Sequence, residues 1–254
     1  MTSPAAIFDR PSVWRADEIL RSGLAGQARM IAASPGPGFP LTLERLVTLT
    51  HVAPGQRVVD IGSGLGGATV WLAEASGADV TGVEPVRSCR KASRRLFPSL
   101  NVADASLETM SPCQDDFIDV VTALGVISLA TVPARAVAGL VELVRPSGYI
   151  AVVDLVATRR NFRCGPNNFV TSRSLERLFE RAGADVVCLQ PTPATPSKWA
   201  DVDEATTAAV ATRHAGEAAF EDWRRDRETL LALQDAALVR PAIVIAMRRS
   251  NSSS

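Results

Sequence analysis

The chain changes pattern near residue 55. Before it, residues 12–33 carry apolar positions Val13, Trp14, Ile19, Leu20, Leu24 and Ile31 at helical spacing and predict one or two helices. The run Pro35-Gly36-Pro37-Gly38-Phe39-Pro40 stops them, and residues 41–50 predict another helix that ends before Pro54-Gly55. Beyond it, short apolar runs alternate with longer amphipathic ones. Strands are expected at 57–61, 79–83, 100–103, 117–124, 149–155 and 185–189, with helices through 71–76 and over 86–96, 133–144 and 172–182, the last capped by Ser172 or Ser174. This alternation predicts βαβ units, hence an α/β fold with a doubly wound, mostly parallel sheet. A polar stretch at 190–197, a charged helical region at 203–235 and a last apolar strand at 241–247 complete the chain. Its organisation is expected to be an N-terminal helical lid over 1–40, a main domain over 41–248 with a helical insertion at about 198–238, and a disordered tail at 249–254.

Composition narrows the classes. The 27 Lys+Arg are matched by 27 Asp+Glu, so the net charge of zero draws the chain towards neither nucleic acid nor an anionic membrane. The basic run Arg87, Arg90, Lys91, Arg94 and Arg95 reads as the solvated face of a helix. Cys89, Cys113, Cys164 and Cys188 form no C-x-x-C pair, and His51 and His214 are the only histidines, so no metal site is expected and the thiols read as reduced and cytoplasmic. Asp9, Arg10, Arg15, Asp17 and Glu18 interrupt the first 30 residues, which argues against a signal peptide, and no run of 18 apolar residues suggests a membrane span.

The densest information lies in VVDIGSGLGG, residues 58–67. A strand that runs into glycines and then a helix lets a ligand approach bare backbone at a helix N-terminus. Gly62, Gly64 and Gly67 form G-x-G-x-x-G, which alone suits a dinucleotide. Asp60 adds Asp-x-Gly-x-Gly-x-Gly through Gly66. Glu84 closes the second strand in VTGVEP, where a carboxylate can accept from both ribose hydroxyls, and Asp104-Ala105 follows the third strand. In these features the chain resembles the class I S-adenosylmethionine-dependent methyltransferases, particularly small-molecule members of the sarcosine, phosphoethanolamine and natural-product type. The resemblance covers about residues 41–190 and the final strand. Phe117-Ile118-Asp119-Val120-Val121 fits the family's fourth strand, and Val144-Arg145-Pro146-Ser147-Gly148 fits the turn before the fifth, with Ser147 in place of a glycine.

The resemblance implies a Rossmann-like seven-stranded sheet with its last strand antiparallel, flanked by helical lids. It implies S-adenosylmethionine as cofactor: Gly62, Ser63, Gly64 and Gly66 at the methionine and ribose end, Asp60 orienting the loop, Glu84 with Pro85 at the ribose, Asp104 with Ala105 at the adenine, and Leu124 at the end of the fourth strand. The acceptor is expected to be a small molecule offering an N, O or C nucleophile. Many relatives carry a histidine after the fourth strand, where this chain reads Leu124-Gly125-Val126-Ile127-Ser128-Leu129. His214 in the late helical region and Asp154 at the end of the fifth strand are then the candidate catalytic groups; His51 reads as structural. Trp14, Trp199 and Trp223 lie in the lid segments, as packing or as an aromatic wall. Two alternatives stay open: the same fold using S-adenosylmethionine structurally in a non-methylating reaction such as cyclisation, and an NAD-dependent oxidoreductase, although Tyr149 lacks the Tyr-x-x-x-Lys lysine. A monomer or homodimer is expected.

Overall fold

The computed structural model describes residues 4–107, 109 and 118–250. Cys113, Phe117 and the serine-rich end of the tail lie outside them. Helices α1 (Pro4–Arg21), α2 (Gly26–Ala32) and α3 (Leu41–Thr50) precede strand β1 (Arg57–Ile61). There follow α4 (Gly67–Ser76), β2 (Asp79–Val83), α5 (Arg87–Leu96), β3 (Val102–Ala103), β4 (Ile118–Leu124), α6 (Pro133–Leu143) and β5 (Val144–Ala157). A hairpin of β6 (Phe162–Cys164) and β7 (Asn167–Phe169) leads to α7 (Ser172–Ala182), β8 (Ala184–Pro191), α8 (Ser197–His214), α9 (Ala218–Asp235) and β9 (Val239–Arg248).

The main sheet has seven strands in the order β3-β2-β1-β4-β5-β9-β8. β1 to β5 are parallel, and β9 runs antiparallel between β5 and β8. The strand order reverses beside β1, and in such sheets that is where ligands bind, outside the carboxyl ends of the strands. Alternate strand residues feed two cores. Val58, Val80, Val120, Ile243 and Ile245 pack with α1 to α5, while Val59, Val121, Val244 and Ala246 pack with α6 and α7.

Several boundaries move. The N-terminal helical segment starts at Pro4, earlier than residue 12, and breaks after Arg21. The charged region consists of two helices, starting at Ser197 rather than 203 and interrupted at 215–217, where Gly216 takes a φ of 87°. Neither Ser172 nor Ser174 caps α7: Thr171 is the N-cap, its hydroxyl accepting from the Ser174 N–H. The β6–β7 hairpin has no counterpart in the periodicity, because two strands of three residues are too short to show one. No helix among the described residues is long and apolar enough to cross a membrane.

Candidate functional site

β1 ends in the loop 62–66, and the loop curls over the end of β2. The N–H groups of Gly62 and Ser63 both donate to the Val83 carbonyl, at 2.8 and 3.1 Å. That curl needs left-handed backbone, and Gly62, Gly64 and Gly66 have φ of 70°, 56° and 82°. The glycines differ in what they face. A side chain at Gly62 would lie 2.8 Å from Val126 Cγ2, one at Gly66 2.4 Å from Leu100 Cδ2, and one at Gly67 2.1 Å from the Met30 carbonyl. At Gly64 it would meet nothing nearer than the Gly62 carbonyl at 4.0 Å, so the loop offers bare backbone to open space there.

Glu84 is placed against that bare stretch. Its Oε2 accepts from the Gly64 N–H and its Oε1 from the Val86 N–H, both at 2.8 Å. Burial pushes its pKa up, and the Val86 and Gly64 N–H groups and the nearby Arg90 guanidinium pull the other way. A carboxylate has roughly four acceptor sites, so about two remain for a ligand. Asp60 is 1% exposed and accepts from Thr69 Oγ1 at 2.6 Å and Thr122 Oγ1 at 2.7 Å, tying β1 to α4 and β4. Burial, the largest effect on it, pushes its carboxyl up to about 6. Ser63 turns its hydroxyl towards Gly82 of β2, buried and without a hydrogen-bond partner.

Of the basic run, Arg87, Lys91, Arg94 and Arg95 are exposed as expected, whereas Arg90 is not: it is 6% exposed. The packing of α5 beside the ends of β2 and β3 turns it inward, where Nη1 donates to the Glu84 carbonyl at 2.6 Å and Nη2 pairs with Asp104 Oδ2 at 2.5 Å. Arg90 thus joins the two acidic positions that the sequence marked separately. Pro85 is exposed, Ala105 packs half-buried on the second core, and Leu124 ends β4 half-buried, followed by Gly125 at φ 72°.

Residues 39–189 match the family model of a methyltransferase domain. The chain belongs to this family. Over 163 residues it is 28% identical to the Methyltransferase GfsG of Streptomyces halstedii, a match covering 57% of this chain and 58% of that relative's length. A solved S-adenosylmethionine-dependent methyltransferase from Thiobacillus denitrificans, in complex with S-adenosyl-L-homocysteine, superposes with a TM-score of 0.61 at 18% identity, covering 85% of this chain and 93% of that one. The [4+2]-cyclase SpnF superposes with a TM-score of 0.66 at 15% identity, covering 82% and 81%. At these identities the two structures establish the shared fold.

The structure disperses the chain's other candidate residues. Asp154, 5% exposed, turns both oxygens onto backbone, accepting from Ser128 N at 2.9 Å and Leu155 N at 2.7 Å. It thereby holds the loop after β4, which Asn168 grips from β7 by donating to the Ser128 and Ala130 carbonyls at 2.6 and 2.7 Å. His214 ends α8, stacked on Trp14 at 4.3 Å with its Nδ1 2.7 Å from Glu217 Oε1. His51 follows α3, edge-on to Tyr149 near the start of β5 and so at the amino edge of the sheet, away from the glycine loop. Asp119 is also at that edge, accepting from Arg57 N and Arg145 Nε. Trp199 packs on the first core, and Trp223 lies between Phe220 and Arg227.

Two cavities, of about 500 Å³ between α3 and residues 190–193 and about 220 Å³ between α2 and α4, both stand clear of the glycine loop. Backbone geometry and the Glu84 carboxylate mark the candidate site. Arg90 was read from the sequence only as part of an exposed basic face, and Thr69, Thr122 and Ser34, whose hydroxyl accepts from Ala68 N at 2.6 Å, were not singled out.

Proposed function

We propose that this methyltransferase binds S-adenosylmethionine across the glycine loop and transfers its methyl group to a small-molecule acceptor. The observation that carries the reading is the pairing of bare Gly64 backbone with the buried, half-satisfied Glu84 carboxylate at the carboxyl end of β2. These residues fit the cofactor: Glu84 has acceptor capacity for ribose hydroxyls, Gly64 leaves room for close approach, and Asp104, fixed by Arg90, borders the adenine side with Ala105. Asp60 sets the loop through Thr69. The N-terminal segment 1–40 and the insertion at about 198–238 serve as lid segments.

The cofactor's sulfonium supplies an electrophilic methyl group. The protein's task is then to bind, orient and exclude water, and effective molarities for well-oriented reactants reach roughly 10⁵ M or more. Asp154 acts by positioning the loop after β4. His214, held by Trp14 and Glu217, is the lid-borne candidate for proton removal, a contribution on the order of 10² to 10⁴ for a hydroxyl or carbon acid and dispensable for an amine. Free thiols at Cys89, Cys164 and Cys188 suit a reducing cytoplasm.

Calorimetric titration with S-adenosylhomocysteine, set beside NADH, tests the assignment. Micromolar binding of the first, lost in Glu84→Ala, is expected. Tighter binding of NADH would return the loop to the dinucleotide reading.

A further inference from the structure

Arg15 is a buried, fully engaged side chain outside the glycine loop. Its guanidinium is buried between three elements: Nε donates to the Ala32 carbonyl at the end of α2 (2.6 Å), Nη1 to Thr207 Oγ1 (3.2 Å) and Nη2 to Asp203 Oδ1 (2.5 Å). Asp203 and Thr207 are one turn apart on α8, so a single planar group from α1 grips α2 with one edge and α8 with another. Asp203 is shared with Arg227 of α9 at 3.4 Å. A second ion pair, Glu18–Arg213 at 2.6 Å, joins α1 to the far end of α8.

The α2 end of this grip is continuous with the cofactor loop. Two residues beyond Ala32, the Ser34 hydroxyl accepts from the Ala68 N–H in the first turn of α4. The Met30 carbonyl occupies the space where a Gly67 side chain would project, so α2 rests directly on the turn that follows Gly66. From Asp203 on the lid to the glycine loop there are therefore three hydrogen-bonded junctions, at Arg15, Ala32 and Ser34, and a short backbone link. A second tie runs beside it: the Gly38 N–H donates to Thr195 Oγ1 at 2.9 Å, just before α8 begins.

We propose that Arg15 is a positioning residue that couples lid helix α8 to the glycine loop, so that occupancy of the cofactor site and closure of the lid favour each other. This rests on the cofactor reading above. Helix adhesion alone does not require such a group, since a buried ion pair can be replaced by apolar side chains without loss of stability. What an apolar pair cannot do is hold the Ala32 carbonyl, the junction through which the loop is reached. Coupling between two ligand sites is reciprocal, so a lid set by the cofactor also raises the affinity for cofactor once an acceptor is bound beneath it.

The test is amide hydrogen exchange over residues 197–214, with and without S-adenosylhomocysteine, in the full chain and two variants. In the unmodified chain the ligand is expected to slow exchange across α8 by about tenfold, a coupling within the usual allosteric range. Arg15→Met/Asp203→Leu removes both members of the buried pair, leaving only the part-exposed Arg227 without its Asp203 contact, and is expected to bind S-adenosylhomocysteine while α8 no longer responds. Arg15→Lys keeps the charge but lacks the fork that reaches Ala32, Thr207 and Asp203 together, and is expected to lose most of the response. An equal response in either variant, or none in the unmodified chain that binds the ligand, overturns the coupling alone. Absence of binding in the unmodified chain overturns the cofactor reading itself.

Discussion

The carboxyl edge of β1 and β2 and the outer face of α9 are built by different means. At the first, position comes from backbone: the Gly62 and Ser63 N–H groups on the Val83 carbonyl, those of Gly64 and Val86 on the buried Glu84 carboxylate, and three left-handed glycines. At the second it comes from exposed ion pairs, such as Arg224 with Glu221 and Glu228. Backbone hydrogen bonds in a buried loop have no alternative partners in water, whereas solvated ion pairs exchange partners freely. The difference teaches where a substitution is felt: sharply at the loop, weakly on the lid surface.

Glu84→Ala should break the stronger half. It removes charge-assisted acceptors for a ligand and leaves the Gly64 and Val86 N–H groups without their partner, so affinity for S-adenosylhomocysteine should fall by about 100-fold or more in calorimetry. Gly67→Ala tests the same half through sterics: a methyl group 2.1 Å from the Met30 carbonyl must displace α2, at a cost of about 1–3 kcal/mol in denaturant unfolding.

Asp60→Asn sharpens the comparison through pH. Its folded-state pKa of about 6 lies above the ordinary carboxylate value, so the fold favours the protonated form. Stability contributed by this group is full below about pH 4 and is lost as pH rises through 6. The asparagine variant, never charged, should be more stable by on the order of 1–3 kcal/mol above pH 7, with the gap closing below pH 4. Melting curves from pH 4 to 8 would show this, and a pH-independent difference would contradict it.

At the amino edge, Ser147 adopts φ 61°, a left-handed conformation that favours glycine. Ser147→Gly should stabilise the chain by up to about 1 kcal/mol, read from chemical denaturation. The neighbouring Gly148 has no such latitude, since a side chain there would lie 2.7 Å from the Asp119 carbonyl. Smallest of all, Arg224→Ala on α9 should leave the melting temperature unchanged within error; a clear drop would show that the exposed pairs act as a network and would erase the contrast.

How far the sequence reached follows from the range of the interactions involved. The alternation of apolar runs and helices, the glycine loop and the carboxylates at 60, 84 and 104 are local signals, each written in a few neighbouring residues; the alternation carried the α/β class, and the loop with its carboxylates carried the resemblance on which the proposed cofactor edge rests. The sheet's completion by β9 between β5 and β8 was legible only through resemblance. The tertiary structure decided the rest: that Arg90 faces inward to Glu84 and Asp104, that Asp60 is held by a threonine 62 residues away, that Asp154 is spent on backbone, and that Arg15 meets Asp203 across 188 residues. A helix's period shows that one face is buried, but whether a charged residue at its border turns in or out depends on which distant partner desolvates with it, and that pairing is fixed only when the chain has closed.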